Sequence, residues 1–151
     1  MPAELAYAFS YTGRLKEPLT IGGPYGNRTV FEVIDGKVDG LGLGGEVRSG
    51  GADWMLIGAD GWARLDVRAQ ITLSDGAAIY AYYHGFLEIN EAVQAWLARD
   101  EMTSYGDHYF RTSPRFETGH PDYQWLTHTL FVGEGHFLPN RTVEYRVFKV
   151  T

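Results

Sequence analysis

The residues able to do chemistry are spread along the chain in alternating patterns rather than gathered in one motif. The alternation is cleanest around residue 65. Arg64, Asp66, Arg68, Gln70 and Thr72 fall on one side of an extended segment, and Leu65, Val67, Ala69, Ile71 and Leu73 on the other. The next segment alternates Tyr80, Tyr82 and His84 with Ile79, Ala81 and Tyr83. Tyr109 and Arg111 share a face, and Glu117 follows shortly. If the polar sides share one interior, they line a pocket of Asp, Arg, Tyr, His and Glu with apolar walls. Small-molecule sites have that make-up. The expectation is therefore that the polar side is buried. The plainer alternative is a solvent-facing polar side, since one residue of register exchanges the two faces.

A second candidate is Gly50-Gly51-Ala52-Asp53-Trp54. Two glycines permit a tight bend, and Asp53 could simply cap it. A carboxylate beside a large indole would instead be desolvated, which raises its pKa toward the range a general acid or base needs. The glycine-rich run from Gly22 to Arg28 lacks the Gly-Lys-Ser/Thr ending of a phosphate loop. It reads as a turn, with Arg28 as an anion contact. His84, His108, His120, His128 and His136 show no metal-ligand spacing, so no metal is expected. No serine sits in a nucleophile elbow and no dinucleotide fingerprint occurs. No cofactor is expected.

Composition narrows the classes further. With 0 Cys, disulfides and thiolate chemistry are excluded. Lys and Arg number 13 against 19 Asp and Glu, a formal net charge of −6. That balance and the absence of a basic cluster argue against nucleic-acid binding. No run approaches 18 apolar residues and no signal-peptide pattern opens the chain, so no membrane partner and a cytoplasmic location are expected.

These residues need strands to position them. Asp35-Gly36, Asp60-Gly61 and Asp75-Gly76 each lie between runs of β-forming residues, and Asp-Gly suits the positive φ of a hairpin turn. Gly50-Gly51 reads as a fourth turn. The spacing predicts strands at 5–15, 29–34 paired with 37–41, 43–48 with 53–59, and 62–73 with 77–84. Further strands are expected at 109–111, 123–132 and 142–150. One helix interrupts them. Asn90 is its N-cap, Glu91 lies in its first turn, Ile89, Val93, Trp96 and Leu97 share a face, and it ends near Arg99. The insertion reads as a flap over one barrel end or part of a subunit contact. The predicted fold is all-β: one domain over 1–151, a closed or nearly closed antiparallel up-and-down barrel of about nine strands with one short helical insertion.

Taken together, several segments resemble one family. They are Gly44-Gly45-Glu46, Gly50-Gly51-Ala52-Asp53-Trp54, Asp60-Gly61, Leu65-Asp66-Val67-Arg68, Asp75-Gly76-Ala77, Tyr109-Phe110-Arg111-Thr112, Phe116-Glu117-Thr118 and Tyr123-Gln124-Trp125-Leu126. The pattern, from about Gly22 to the C-terminus, resembles the DUF3237 family, also called UPF0311. The resemblance implies a compact β-barrel, often paired as a homodimer, with shared polar residues at Asp53, Asp66, Arg68, Tyr109, Arg111 and Glu117. It implies no activity.

The expected function is cofactor-independent acid–base chemistry on a small aromatic or carbonyl-bearing metabolite, by an isomerase, cyclase or lyase. Asp53 or Glu117 moves the proton, with a tyrosine such as Tyr109 as acid. Arg68 and Arg111 hold a carboxylate or an enolate-like oxyanion. Trp54, Tyr82, Tyr109 and Trp125 form an aromatic wall, and Asp66, His84 and Arg28 complete the binding set. The alternative is a non-catalytic carrier of a hydrophobic or aromatic ligand, in which Asp–Arg pairs are structural. A third reading is an assembly subunit.

Overall fold

Apolar and aromatic side chains recur at every second position over most of the chain, and a pleated strand puts such residues on one side. The computed structural model describes residues 1–42 and 44–151 and turns those sides toward a common axis. The strands are β1 (Leu5–Leu15), β2 (Leu19–Gly22), β3 (Asn27–Asp39), β4 (Gly45–Val47), β5 (Ala52–Ile57), β6 (Trp62–Leu73), β7 (Ala78–Glu88), β8 (Phe110–Thr112), β9 (Arg115–Glu117), β10 (Phe131–Leu138) and β11 (Thr142–Val150). Helix α1 (Glu91–Arg99) follows β7. A 3₁₀ turn, Pro121–Tyr123, leads into the short helix α2 (Gln124–Thr127) before β10.

Every pairing is antiparallel. Followed round, they close a ring of β1, β3, β5, β6, β7, β8, β10 and β11, which returns to β1. Strands adjacent in the ring follow one another in sequence once β2, β4 and β9 are set aside. The expected up-and-down barrel is thus present, with eight strands closing it and three extra ones. β2 lies on β3, β4 spans β3 and β6, and β9 lies on β7.

Two of the expected hairpin turns do not reverse the chain. β3 runs unbroken through Asp35-Gly36. A Cβ on Gly36 would lie 1.9 Å from the Thr12 carbonyl oxygen, so the glycine is there to admit the backbone of β1. The Gly50-Gly51 segment does not fold β4 back onto β5. Val47 lies opposite Gly36 and Ala52 opposite Glu32 on the same partner, so five steps along one strand match four on the other. β4 and β5 are one strand with a bulge. Gly50 takes φ +101°, and a Cβ on Gly51 would come within 2.3 Å of the Arg68 carbonyl oxygen. The strand expected at 43–48 is shorter, and its first residue, Leu43, lies outside the described residues. Of the strand expected at 123–132, Tyr123 ends the 3₁₀ turn, the next four residues form α2, where Leu126 is buried, and only Phe131 and Val132 are strand. The rest of β10, with glycines at 133 and 135, was not anticipated.

The helix forms as its caps predict. Asn90 Oδ1 accepts from the Val93 N–H at 3.2 Å, and the Asn90 side-chain amide donates to the Asp107 carbonyl at 2.8 Å. Val93 and Trp96 are buried under the helix, which lies across one end of the barrel as the expected flap. Trp96 stacks on Phe137 at 4.1 Å and donates its indole N–H to the Leu138 carbonyl at 2.9 Å. The opposite end is packed solid around Phe9, Phe116 and Phe131, whose ring centroids lie 5.2–6.3 Å apart.

The backbone close approach at Gly36 has a measurable cost. Gly36→Ala should lower unfolding free energy by about 2–4 kcal/mol, because Cβ meets backbone that cannot yield. Gly76→Ala, at φ +90° in a turn with open space around it, should cost only about 1 kcal/mol. Urea unfolding of both variants checks the order. The reverse order would mean that Gly36 sits in a turn.

Candidate functional site

The lumen face of β6 carries Ala63, Leu65, Val67, Ala69, Ile71 and Leu73, each at most 5% exposed. Arg64, Asp66, Arg68, Gln70 and Thr72 therefore face out. This corrects the expected burial of the polar side. The physical reason is desolvation: an eight-stranded barrel is just wide enough for side chains to fill, and unpaired charges there have no water. The same exchange applies to β7, where Tyr83 points in while Tyr82 and His84 point out.

Most of the predicted site residues consequently lie on the outside. The Asp66 side chain is half exposed, and its Oδ1 stands 3.4 Å from Nε2 of His84, which is 76% exposed. Tyr82 stacks on Tyr80 at 5.3 Å on the outer surface. Trp54, Arg68 and Glu117 come together along an outer groove with Arg48 and Tyr80. Arg111 pairs with Glu134 at 3.2 Å and lies over the Tyr109 ring at 5.3 Å, and Tyr109 is 49% exposed. Trp125 is 40% exposed on α2. Arg28 is half-buried on the outer wall and donates to the Trp54 carbonyl at 2.8 Å. None of these groups reaches the lumen to hold an anion.

Asp53 does reach it. The bulge at 48–51 delivers β5 so that Asp53 lies inward, 8% exposed, with Trp54 outward. It borders a cavity of about 270 Å³ in the half of the barrel beneath α1, where Val93, Trp96 and Leu97 form part of the lining. Tyr11, Tyr83 and Tyr145 share this cavity, with ring centroids 5.1–6.4 Å apart. Sequence reading missed all three tyrosines, together with Thr29. Only the phase of the alternation could have found them, and Tyr83 was assigned to the apolar, outward side.

The electrostatics follow from burial. Desolvation raises the Asp53 pKa from 3.8 to about 7. The Asp66 N–H, which donates to Asp53 Oδ1 at 3.1 Å, pulls it down; the nearby Asp66 carboxylate pushes it up, and the Arg28 charge pulls it down. Burial also drives Tyr11, Tyr83 and Tyr145 well above the usual phenol range; the neighbouring phenol adds to the rise at Tyr11, whereas at Tyr83 and Tyr145 the neighbouring phenols act in both directions. Asp53 further raises Tyr83 and Tyr145, which places it in electrostatic contact with both. These phenols therefore stay protonated, each with an O–H able to donate to a guest in the cavity. The Tyr11 hydroxyl and Thr29 Oγ1 have no partner within the chain. Each such orphan costs about 1–3 kcal/mol unless water or a ligand satisfies it. Among the described residues no Lys, Arg or His lines the cavity, and no three His, Asp or Glu side chains gather to hold a metal. No helix among them is long and apolar enough to cross a membrane.

Asp53 makes stability depend on pH with a defined sign. Its folded pKa, about 7, lies above the ordinary 3.8. Between those values the unfolded chain releases a proton that the folded chain retains, so stability falls as pH rises through that window. Asp53→Asn should remove the penalty. It should be more stable than the parent at pH 8, by on the order of 4 kcal/mol, and equal to it near pH 4. Denaturation curves at the two pH values check this. Equal stabilities at pH 8 would mean that Asp53 is solvated.

Comparison with known proteins agrees with the barrel. The family model described as a protein of unknown function, DUF3237, matches residues 3–150. A UPF0311 protein of Rhodopseudomonas palustris is 35% identical over 142 residues, covering 93% of this chain and 92% of its own length. The crystal structure of a conserved protein of unknown function from that species superposes with TM-score 0.88 at 32% identity, covering 100% of this chain and 99% of its own. A protein of unknown function from Clostridium acetobutylicum gives 0.84 at 31%, covering 99% and 100%. A more distant likeness, an enzyme from Penicillium herquei, gives 0.68 at 22% over 100% and 96% of the two chains, and bears on the fold alone. By residues 3–150 and by these relatives, the chain belongs to the DUF3237 family.

Proposed function

We propose that the protein is an enzyme performing cofactor-independent acid–base chemistry, such as isomerisation, cyclisation or elimination, on a small uncharged aromatic or carbonyl-bearing molecule in the barrel lumen. The observation that carries this reading is Asp53: a buried carboxyl whose pKa is raised to about 7, sharing an apolar cavity with protonated phenols. A group with that pKa is populated in both forms at neutral pH, as a proton carrier must be. The carboxylate removes a proton from carbon next to a carbonyl, or from a phenol. The Tyr11, Tyr83 and Tyr145 hydroxyls donate to the oxygen on which charge develops. The Asp53 carboxylic acid then returns the proton at another position. A dry, pre-oriented set of donors is worth more here than in water.

Arg68 and Arg111 take no part in this scheme, because both lie outside the wall. The substrate is accordingly uncharged at its buried end: a carboxylate or phosphate would enter a lumen with no cation and one acid. The volume of about 270 Å³ suits a molecule of one or two rings.

The test uses uncharged aryl ketones and phenols in deuterium oxide. Binding is read by thermal shift, and proton exchange or rearrangement by mass spectrometry. The expected outcome is solvent deuterium, or an isomeric product, in the molecules that bind. The rate should rise roughly tenfold per pH unit below pH 7 and level off above it. Asp53→Asn should lower it by about 10²–10⁴-fold. Loss of one lumen hydroxyl, as in Tyr145→Phe, should lower it about 10-fold or more. Ligands that bind and are returned unlabelled and unchanged would make the barrel a carrier.

A further inference from the structure

The wall beside Asp53 is not stitched like the rest of the barrel. Backbone groups of alternate β5 residues face β3 and β6 in turn. Gly51 faces β3, its carbonyl accepting from the Val33 N–H at 2.9 Å, so Trp54 faces β6. Its opposite residue there is Asp66. The register of β5 on β6 runs Ala52↔Arg68 and Asp53↔Val67, then resumes only at Leu56↔Arg64. The Trp54–Asp66 rung is open. Both backbone groups it frees are taken by side chains. The Asp66 N–H donates to Asp53 Oδ1 at 3.1 Å, and the Trp54 carbonyl accepts from Arg28 Nη1 at 2.8 Å.

Were the rung closed, the Asp66 N–H would point at the Trp54 carbonyl and be lost to Asp53. Arg28 occupies that carbonyl, and it does so from β3, on the far side of β5 from Asp66. We propose that Arg28 is a positioning residue for Asp53: by occupying the Trp54 carbonyl outside the wall, it keeps the Asp66 amide available to the carboxyl inside. Its second effect is electrostatic, since its charge is the cation set against Asp53. The other groups facing Asp53 are the Asp66 carboxylate from β6, Tyr83 from β7 and Tyr145 from β11. None of them favours the carboxylate by charge. A residue outside the wall thus governs a group that substrate meets only from within. The functional meaning of this device rests on Asp53 as proton carrier, but its geometry does not.

The test is a titration of the ligand-free chain, so its failure and a failure of turnover are separable. The Asp53 carboxyl is followed by carbon NMR in the parent, in Arg28→Gln and in Arg28→Lys. Arg28→Gln removes the charge and lets the rung close, and both changes disfavour the carboxylate. Its midpoint should rise by roughly half a unit or more, and Arg28→Lys should recover most of that shift. If Arg28 merely braced the wall, its loss would admit water and the midpoint would fall toward the ordinary carboxyl range. A fall, or no change, overturns the proposal. The parent chain gives a second measurement that needs no variant. The Asp66 amide proton should move with the Asp53 titration near pH 7, and an amide indifferent to that titration overturns the proposal equally.

Discussion

Closing eight strands into a ring leaves one interior lined largely by apolar side chains, where a charge is poorly solvated. That single constraint orders the rest of the molecule. It selects the apolar set on β6 for the inside and sends Arg64, Asp66 and Arg68 outward. Outside, the charges find one another in pairs such as Arg14–Asp35, Arg64–Asp60 and Arg111–Glu134. Such exposed pairs contribute little to stability.

Against that constraint Asp53 is an exception, tolerated because its neutral form costs little. The dryness that expels the arginines also lifts its proton affinity into the neutral range and keeps Tyr11, Tyr83 and Tyr145 protonated. Desolvation thus shapes the fold and sets the protonation of the site. The aromatic lining continues from Tyr145 through Phe110 and Phe137 to Trp96 in the cap, with neighbouring centroids 4.1–5.3 Å apart. The rings that define the cavity are therefore the ones that connect it to its cover.

Strand identity was legible because it rests on local alternation: β1, β6 and β11 have the boundaries their patterns predict. The helix was legible through Asn90 and the Val93–Trp96 face. The inward face was not, because alternation has no sign. Leu65 and Asp66 carry the same period, and only closure decides which one is inside. Asp35-Gly36 has the chemistry of a turn, yet Gly36 serves instead as the point where β1 passes close to β3. No local signal separates the two uses. Asp53 was legible because the glycines before it and the tryptophan after it marked it as unusual, while Tyr11, Thr29 and Tyr145 looked like ordinary strand residues.

On the proposed function, the cap decides how a molecule would enter and leave the lumen. Helix α1 is tied to the tip of the β10–β11 hairpin: Trp96 bonds the Leu138 carbonyl, and the Asp100 carboxylate accepts from the Asn140 and Arg141 N–H groups at 2.7 and 2.9 Å. A closed sheet cannot part locally without losing ladder bonds in both neighbours, whereas a short helix held by a few anchors opens at a much smaller free-energy cost. For a molecule bound as proposed, the anchors would set the rate of exchange and the lining the equilibrium affinity. Weakening the Asp100 anchor, which lies outside the lining, would speed arrival and departure of such a molecule together and leave the occupied fraction nearly unchanged.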